Sequence, residues 1–181
     1  MKKIFFILIL SAGFIACKQS LKGTNGVTYK NPVQYNDYII SRQTSLMKKI
    51  IAFGKVAQIN PDSADQMLDA YINETGQMIT EIKGMPPYKG DSSFRNAAIQ
   101  SFTFYKKIFE DDYKQILALN KSEESGTDEG AAKANSIVEK ISREEEGYDK
   151  DFHNAQEEFA RKNNMKLIEN TEQKELKNSN N

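Results

Sequence analysis

The stretch NPVQYNDYIISRQTSLMKKIIAFGKVAQ, residues 31–58, decides the fold class of this chain. It opens with Asn31-Pro32, an N-cap residue followed by a proline whose missing N–H costs nothing at the first helical position. Behind this start, mostly apolar side chains return at alternating intervals of four and three residues, the period of one buried helical stripe. This stripe comprises Ile39, Gln43, Leu46, Ile50, Phe53 and Ala57. We therefore predict a first helix over about residues 32–58.

Three further stripes with the same period follow along the chain. The second helix begins at Asn60-Pro61, the third follows Ser92-Ser93, and the fourth follows a polar loop over residues 120–130. The stripes are Ala64, Leu68, Tyr71, Thr75, Met78 and Ile82; Phe94, Ala98, Ser101, Tyr105, Ile108, Asp112, Ile116 and Leu119; and Ala134, Val138, Ile141, Glu145, Tyr148, Phe152, Ala155 and Phe159. Short connections predict an all-α fold, an antiparallel up-down-up-down four-helix bundle over residues 31–165.

The start of the chain has the features of an export signal. Two lysines precede an apolar run over residues 4–16, which is too short to span a bilayer, and the only cysteine, Cys17, follows at once. The segment resembles a bacterial lipoprotein signal peptide, with residues 14–17 as the lipobox. This resemblance implies that residues 1–16 are removed and that acyl chains on Cys17 anchor the protein in a membrane. An ordinary cleaved signal is the alternative.

The segments that flank the bundle are polar and lack periodicity. The composition of residues 17–30 predicts a lipidated, flexible tether, and that of residues 166–181 predicts a disordered polar tail. In the lipoprotein resemblance, an Asp after the cysteine would imply retention in the inner membrane. This chain has Lys18 there, so we expect the outer membrane, with the periplasmic or the surface face left open.

Charge and composition exclude several classes of function. With Lys2 and Lys3 removed from the 25 basic residues, 23 remain against 25 acidic ones, so no strong positive field recruits nucleic acid. A single histidine, His153, cannot supply a di-metal bundle site, and no nucleophile motif accompanies it. We expect no catalytic residues, no metal and no cofactor, and we interpret the protein as a non-enzyme.

Polar residues interrupt each of the four stripes at a similar height. We predict a polar layer of Gln43, Thr75, Ser101 and Glu145, in which the Glu145 carboxylate accepts hydrogen bonds from the other three. Two alternatives remain open: the layer lines a pocket for a small polar ligand, or Glu145 extends into water.

Aromatic residues are enriched beyond the needs of a small core. Tyrosine combines a rigid apolar ring with a polar tip, which suits interfaces, although wide stripes and loop ends also hold aromatic rings. The candidate interaction patch comprises Tyr29, Tyr35, Tyr38, Tyr88 and Phe104.

Taken together, the signal, the tether, the Tyr35-Asn36-Asp37-Tyr38-Ile39 stretch and four helices with a proline-rich middle turn resemble the small all-helical surface lipoproteins of Gram-negative bacteria, whose function is uncharacterised. The resemblance implies location and fold only. We expect a non-catalytic interaction module for a protein or an envelope polymer. The alternative is a helical-bundle carrier for a small apolar or cofactor-like ligand.

Overall fold

The computed structural model describes residues 20–168, and these residues are mainly helical. A two-stranded antiparallel hairpin, β1 (Leu21–Lys22) and β2 (Thr28–Tyr29), precedes α1 (Pro32–Ile59) and α2 (Pro61–Lys83). Next, α3 (Ser93–Lys107), a π-helical turn (Ile108–Asp112) and α4 (Tyr113–Lys121) form one continuous helix, and α5 (Asp128–Lys162) follows. The all-α prediction is confirmed.

Side-chain caps explain where the helices begin. The Asn31 side chain accepts a hydrogen bond from the Gln34 amide at 2.8 Å, and the Asn60 side chain accepts one from the Ser63 amide at 3.0 Å. Thr127 caps α5 in the same way through the Gly130 amide, at 3.1 Å. Each cap satisfies an amide that the first helical turn leaves without a partner, so both Asn-Pro pairs start helices as predicted.

Ion pairs between consecutive helices show that these helices run in opposite directions. In each pair of helices, residue numbers rise along one partner as they fall along the other. The ion pairs between α1 and α2 are Arg42–Glu81 and Lys49–Glu74, and those between α2 and α4 are Lys114–Asp69 and Lys121–Asp62. Helix α5 pairs through Lys140 with Asp112 of the π-helical turn and through Lys162 with Asp91, just before α3. At one end α1 also meets α5, where Tyr35 stacks on Phe159 with ring centroids 5.3 Å apart. Closure of the helices into a complete up-down-up-down bundle stays a prediction.

Net charge alternates in sign from helix to helix. Helix α1 has four basic residues and one acidic residue, and α2 has one basic and five acidic residues. The continuous helix from α3 to α4 has five basic and three acidic residues, and α5 has six basic and ten acidic residues. Single surface ion pairs contribute little, but this alternation places opposite charges on every pair of consecutive helices.

The π-helical turn shifts the buried stripe of the third helix by one residue. The Tyr113 amide bonds to the Ile108 carbonyl, five residues back, so the turn holds one more residue than an α-helical turn. Beyond it Leu117 is buried, in place of the predicted Ile116. The turn also buries Asp112, whose carboxylate lies 2.8 Å from the Lys140 ammonium.

Two members of the predicted fourth stripe lie outside the core. Val138 is 50% exposed and Tyr148 is 38% exposed, whereas Ile141, Phe152 and Phe159 are buried. Helix α5 packs mainly on α3, the π-helical turn and α4. Because these three elements form one continuous helix, α5 has a single main neighbour, which covers a narrower face of α5 than two neighbouring helices would. Residues at the edge of the stripe therefore remain in contact with solvent.

The predicted tether is wrong for residues 21–29, which form the hairpin. The Thr24 amide donates to the Gly84 carbonyl at 2.8 Å, and the Asn25 side chain donates to the Glu81 carbonyl at 2.9 Å, so the hairpin is tied to the end of α2. Tyr29 is 1% exposed and belongs to the core. Residues 1–19, with the predicted signal peptide and the predicted lipidation site Cys17, and most of the predicted tail, residues 169–181, lie outside the described residues.

Candidate functional site

Most of the predicted aromatic patch is buried, which corrects the expectation of an exposed surface. Tyr29, Tyr35 and Tyr88 lie in the core, and Tyr38 is half-buried beside them. The Tyr29 ring meets the rings of Tyr35 and Tyr38 edge-on, with centroids 5.3 and 5.4 Å apart. These four tyrosines therefore form a packed cluster at the end of the molecule where the hairpin meets the helices, and Phe104 lies elsewhere.

The hydroxyls of the two most deeply buried tyrosines in this cluster have polar partners, which explains why tyrosine is tolerated inside. The Tyr35 hydroxyl donates to the Pro86 carbonyl at 3.0 Å, and the Tyr29 hydroxyl accepts a hydrogen bond from the Asn25 side chain at 2.7 Å. Burial raises the pKa of Tyr29 to about 12 and raises the pKa of Tyr35 as well. The cluster thus consists of neutral phenols that stabilise the fold.

Phe104 lies beneath a partly exposed aromatic ring of α5. Tyr148 stacks on it with ring centroids 4.3 Å apart and an interplanar angle of 21°. The two rings line a groove between α3 and α5 with a volume of about 250 Å³. Its other lining residues are Ile99, Gln100, Thr103, Lys107 and Glu144. We call this feature the α3–α5 groove.

A buried tyrosine fixes the register of the two helices beside this groove. Tyr105 is 3% exposed, and its hydroxyl lies 2.7 Å from Glu145 Oε1 and 3.3 Å from Asp149 Oδ1. Burial, followed by the charges of Asp149 and Glu145, raises the pKa of Tyr105, so this phenol remains a donor. Desolvation and the Glu145 charge raise the pKa of the Asp149 carboxyl. The single phenolic proton of Tyr105 is therefore shared between the carboxylates of Glu145 and Asp149.

This contact changes the interpretation of the predicted polar layer. Thr75 and Ser101 are buried, and Gln43 and Glu145 are half-buried. However, the Thr75 hydroxyl donates to the Tyr71 carbonyl of its own helix at 2.6 Å, and the donor to Glu145 is Tyr105. A threonine hydroxyl in a helix reaches its own backbone easily, so Thr75 is satisfied without crossing the core. The structure thus gives Glu145 a donor that the sequence analysis did not name.

A second groove, between α1 and α2, has a volume of about 340 Å³ and is lined by Ser41, Arg42, Ser45, Glu74, Gln77, Met78 and Glu81. Its charged groups are already paired. Arg42 Nε donates to Glu81 Oε2 at 2.7 Å while its guanidinium lies over the Tyr38 ring, and Lys49 pairs with Glu74. A charged ligand would have to compete with these partners, so the α3–α5 groove is the better candidate site.

The described residues also bear on metal binding and on membrane crossing. His153 is exposed and its Nε2 lies 3.1 Å from Glu157 Oε1. Within residues 20–168, no group of three or more His, Cys, Asp or Glu side chains is placed to hold a metal ion, and no helix is long and apolar enough to cross a membrane. Comparison of the chain with protein-family models, with curated proteins and with solved structures gives no match.

Proposed function

We propose that this protein is a non-catalytic, lipid-anchored interaction module of the cell envelope that binds a protein or an envelope polymer through the α3–α5 groove. The observation that carries this proposal is the Tyr148 ring, which is 38% exposed although it stacks on the buried Phe104. A large aromatic side chain held at the surface by a buried ring is typical of a binding anchor.

The composition of the groove supports a role in binding. Its centre is apolar, with Ile99 beside the two aromatic rings, and its rim carries Gln100, Lys107 and Glu144. Interfaces share this arrangement, in which an aromatic centre is surrounded by polar groups that direct the partner. Because Tyr105 binds Glu145 and Asp149 directly beside the groove, its two walls are held in place before a partner arrives, which reduces the entropic cost of binding.

The carrier alternative has less support. A carrier needs a recess that encloses most of its ligand, whereas both grooves described above open to solvent. Large side chains occupy the space between the helices, among them the fully buried Phe94, Phe102 and Phe109. The interaction module therefore remains the preferred function.

Attachment to the outer membrane through Cys17 is the second part of the proposal. Two or more acyl chains hold a protein on a membrane almost permanently, at about 0.8 kcal/mol per buried methylene. We expect Cys17→Ala to move the protein into the soluble fraction of the cell. A variant that still sediments with membranes after a high-salt wash would refute lipid anchoring.

The binding surface can be tested with a photo-crosslinking amino acid in intact cells. At position 148 it should yield a specific crosslinked product, whereas at position 138, on the same helix and also exposed, it should not. The chemical identity of the product, from mass spectrometry, distinguishes a protein from a polymer. A Gln100→Ala or Lys107→Ala change at the rim should reduce the yield of the crosslinked product at position 148. Equal products at both positions would refute the groove as the binding surface.

A further inference from the structure

One end of the molecule carries a set of exposed lysines. The hairpin, the start of α1, the end of α2, the start of α3 and the end of α5 all meet there, as the contacts of Tyr35 with Tyr29, Tyr88 and Phe159 show. Apart from Lys162, which pairs with Asp91, the exposed lysines on these segments and just after α5 are Lys22, Lys30, Lys83, Lys89 and Lys166. We call this surface the basic end.

The charges of the basic end are not balanced by acidic neighbours. Among residues 20–168, none of its five lysines has a carboxylate within 4.0 Å. The nearby acidic groups are engaged elsewhere: Glu81 pairs with Arg42, Asp91 with Lys162, and Glu158 with Arg161. Asp37, in the second turn of α1, and Glu157, near the end of α5, are exposed acidic residues on the same segments, and the five lysines outnumber them.

The opposite end of the molecule is acidic. The turn between α1 and α2 and the loop between α4 and α5 meet there, because Lys121 pairs with Asp62 and Asp65. The exposed acidic residues of this end include Glu123, Asp128 and Glu129. Charge is therefore separated along the length of the helices, and α5, with 35 residues, extends over about 50 Å.

The basic end is also the end nearest to the lipid anchor. Only residues 18–20 separate Cys17 from the first strand, and a fully extended chain spans at most about 3.6 Å per residue. The hairpin therefore begins within roughly 15 Å of the sulfur that would carry the acyl chains. A membrane surface that holds Cys17 would therefore lie close to the end of the molecule that carries the five lysines.

We propose that the basic end is a membrane-contact surface that binds the phosphates of anionic phospholipid head groups and holds the helices upright on the membrane. This inference rests on the proposed lipid anchor. Each lysine close to an anionic surface increases binding roughly fivefold, and this attraction acts within about 10 Å, a Debye length, of the surface. The acidic end faces away from the membrane, and the α3–α5 groove lies between the two ends, open to partners.

The test uses the acylated full chain in lipid vesicles. Cys17 is the only cysteine and would be blocked by lipid, so one added cysteine can carry a fluorophore. We would place it at exposed Pro87, at the basic end, or at exposed Ser125, at the acidic end. A quencher attached to lipid head groups should quench the label at 87 and leave the label at 125 unaffected. Quenching at 87 should be stronger on vesicles that contain phosphatidylglycerol than on pure phosphatidylcholine, and high salt should abolish the difference.

A matched pair of variants separates the surface from net charge. Lys22→Glu, Lys83→Glu and Lys89→Glu together should reduce quenching at 87 to its value on neutral vesicles. The control changes Lys55, Arg143 and Lys150, which are exposed elsewhere and line neither groove, to glutamate and should leave quenching intact. Equal quenching at 87 and 125, or no response to phosphatidylglycerol, would overturn the inference. Failure of the wild-type chain to float with neutral vesicles would instead refute the lipid anchor, and the response of position 87 to anionic vesicles would still report on the lysines.

Discussion

The hydrogen bonds of Tyr105 give a quantitative prediction for the variant Tyr105→Phe. This change keeps the buried ring and removes the hydroxyl that lies 2.7 Å from Glu145 Oε1 and 3.3 Å from Asp149 Oδ1. A hydrogen bond to a charged group contributes roughly 1.5–3 kcal/mol, so we expect the free energy of unfolding to fall by about 2 kcal/mol at neutral pH. For a chain of this size, that corresponds to a decrease in melting temperature of roughly 4–8 °C.

The loss should depend on pH because two carboxylates share the missing donor. The Tyr105 hydroxyl lowers the pKa of Asp149, while desolvation and the Glu145 charge raise it by more. A group with a raised pKa in the folded state favours folding most when it is protonated, and this contribution is lost as pH rises through the folded-state pKa. Acidification should therefore relieve the repulsion between Asp149 and Glu145 and reduce the deficit of Tyr105→Phe.

Urea denaturation followed by circular dichroism measures both effects. Tyr148→Phe is the matched control, because its ring is exposed at the surface, and it should change stability by less than about 0.5 kcal/mol. In a double-mutant cycle with Glu145→Gln, the cost of Tyr105→Phe should fall by about 1 kcal/mol, since a neutral acceptor forms a weaker hydrogen bond. A cost below about 0.5 kcal/mol for Tyr105→Phe, or no coupling to residue 145, would refute the proposed register contact.

Three further predictions concern the hairpin, two glycines and an ion pair. Tyr29→Ala should lower the free energy of unfolding by about 3–5 kcal/mol, whereas Thr28→Ala, at an exposed position, should lower it by less than about 0.5 kcal/mol. Equal effects of the two changes in urea denaturation would mean that residues 21–29 are a flexible tether after all. In α5, Gly147→Ala should raise the melting temperature because a Cβ there meets open space, whereas Gly130→Ala should lower it because its Cβ would clash with the Glu124 carbonyl oxygen. Shifts of the same sign would contradict this explanation. The hydrogen bond from Lys162 is the main reason that the pKa of Asp91 falls to about 2, so Asp91 favours folding above the ordinary aspartate pKa and loses this contribution as pH falls toward 2. Because both side chains of this pair are partly exposed, we expect Lys162→Met to lower the melting temperature only modestly at neutral pH and less still as pH falls to 2. A deficit that is constant with pH would exclude the ion pair as its cause.

The helices could be predicted from sequence because their signals are local. Asn31-Pro32 and Asn60-Pro61 combine a capping side chain with a proline that fits the first turn, and both pairs start helices in the structure. The buried positions of α1 and α2 follow the predicted period, since a single stripe is enough to direct each helix to the core. Ile39, Leu46 and Phe53 are buried as expected.

Features that depend on distant partners could not be predicted in this way. Strands of two residues, such as Thr28–Tyr29, have almost no pattern of their own, and contacts with Gly84 and Glu81 hold the hairpin in place. The extra residue of the π-helical turn cannot be identified from spacing, because either Ile116 or Leu117 could continue the stripe.

The candidate site was only partly visible in the sequence. The sequence suggests Phe104 for the candidate patch, but the period of the fourth stripe predicts that its partner Tyr148 lies in the core. The donor to Glu145 was missed because Tyr105 was counted as an apolar stripe residue, although a phenol on a buried stripe can bond to any carboxylate across the interface. The sequence does contain a signal for this hydrogen bond. Glu145 occupies an inward position of α5, and the aromatic stripe of the third helix includes the phenol of Tyr105.

For the lipid-anchored form that we propose, the hairpin also determines how the fold could be released from a membrane. A protease that cuts within residues 18–20 would release the whole fold, whereas a cut beyond Tyr29 would separate that ring from Tyr35 and Tyr38. Because Tyr29 is a core residue, the second product would lose its folded structure more readily and would be degraded rather than shed intact. In this proposed form, the segment whose cleavage releases a stable soluble fold is only three residues long, so the proposed anchoring at Cys17 would be coupled to folding through that segment.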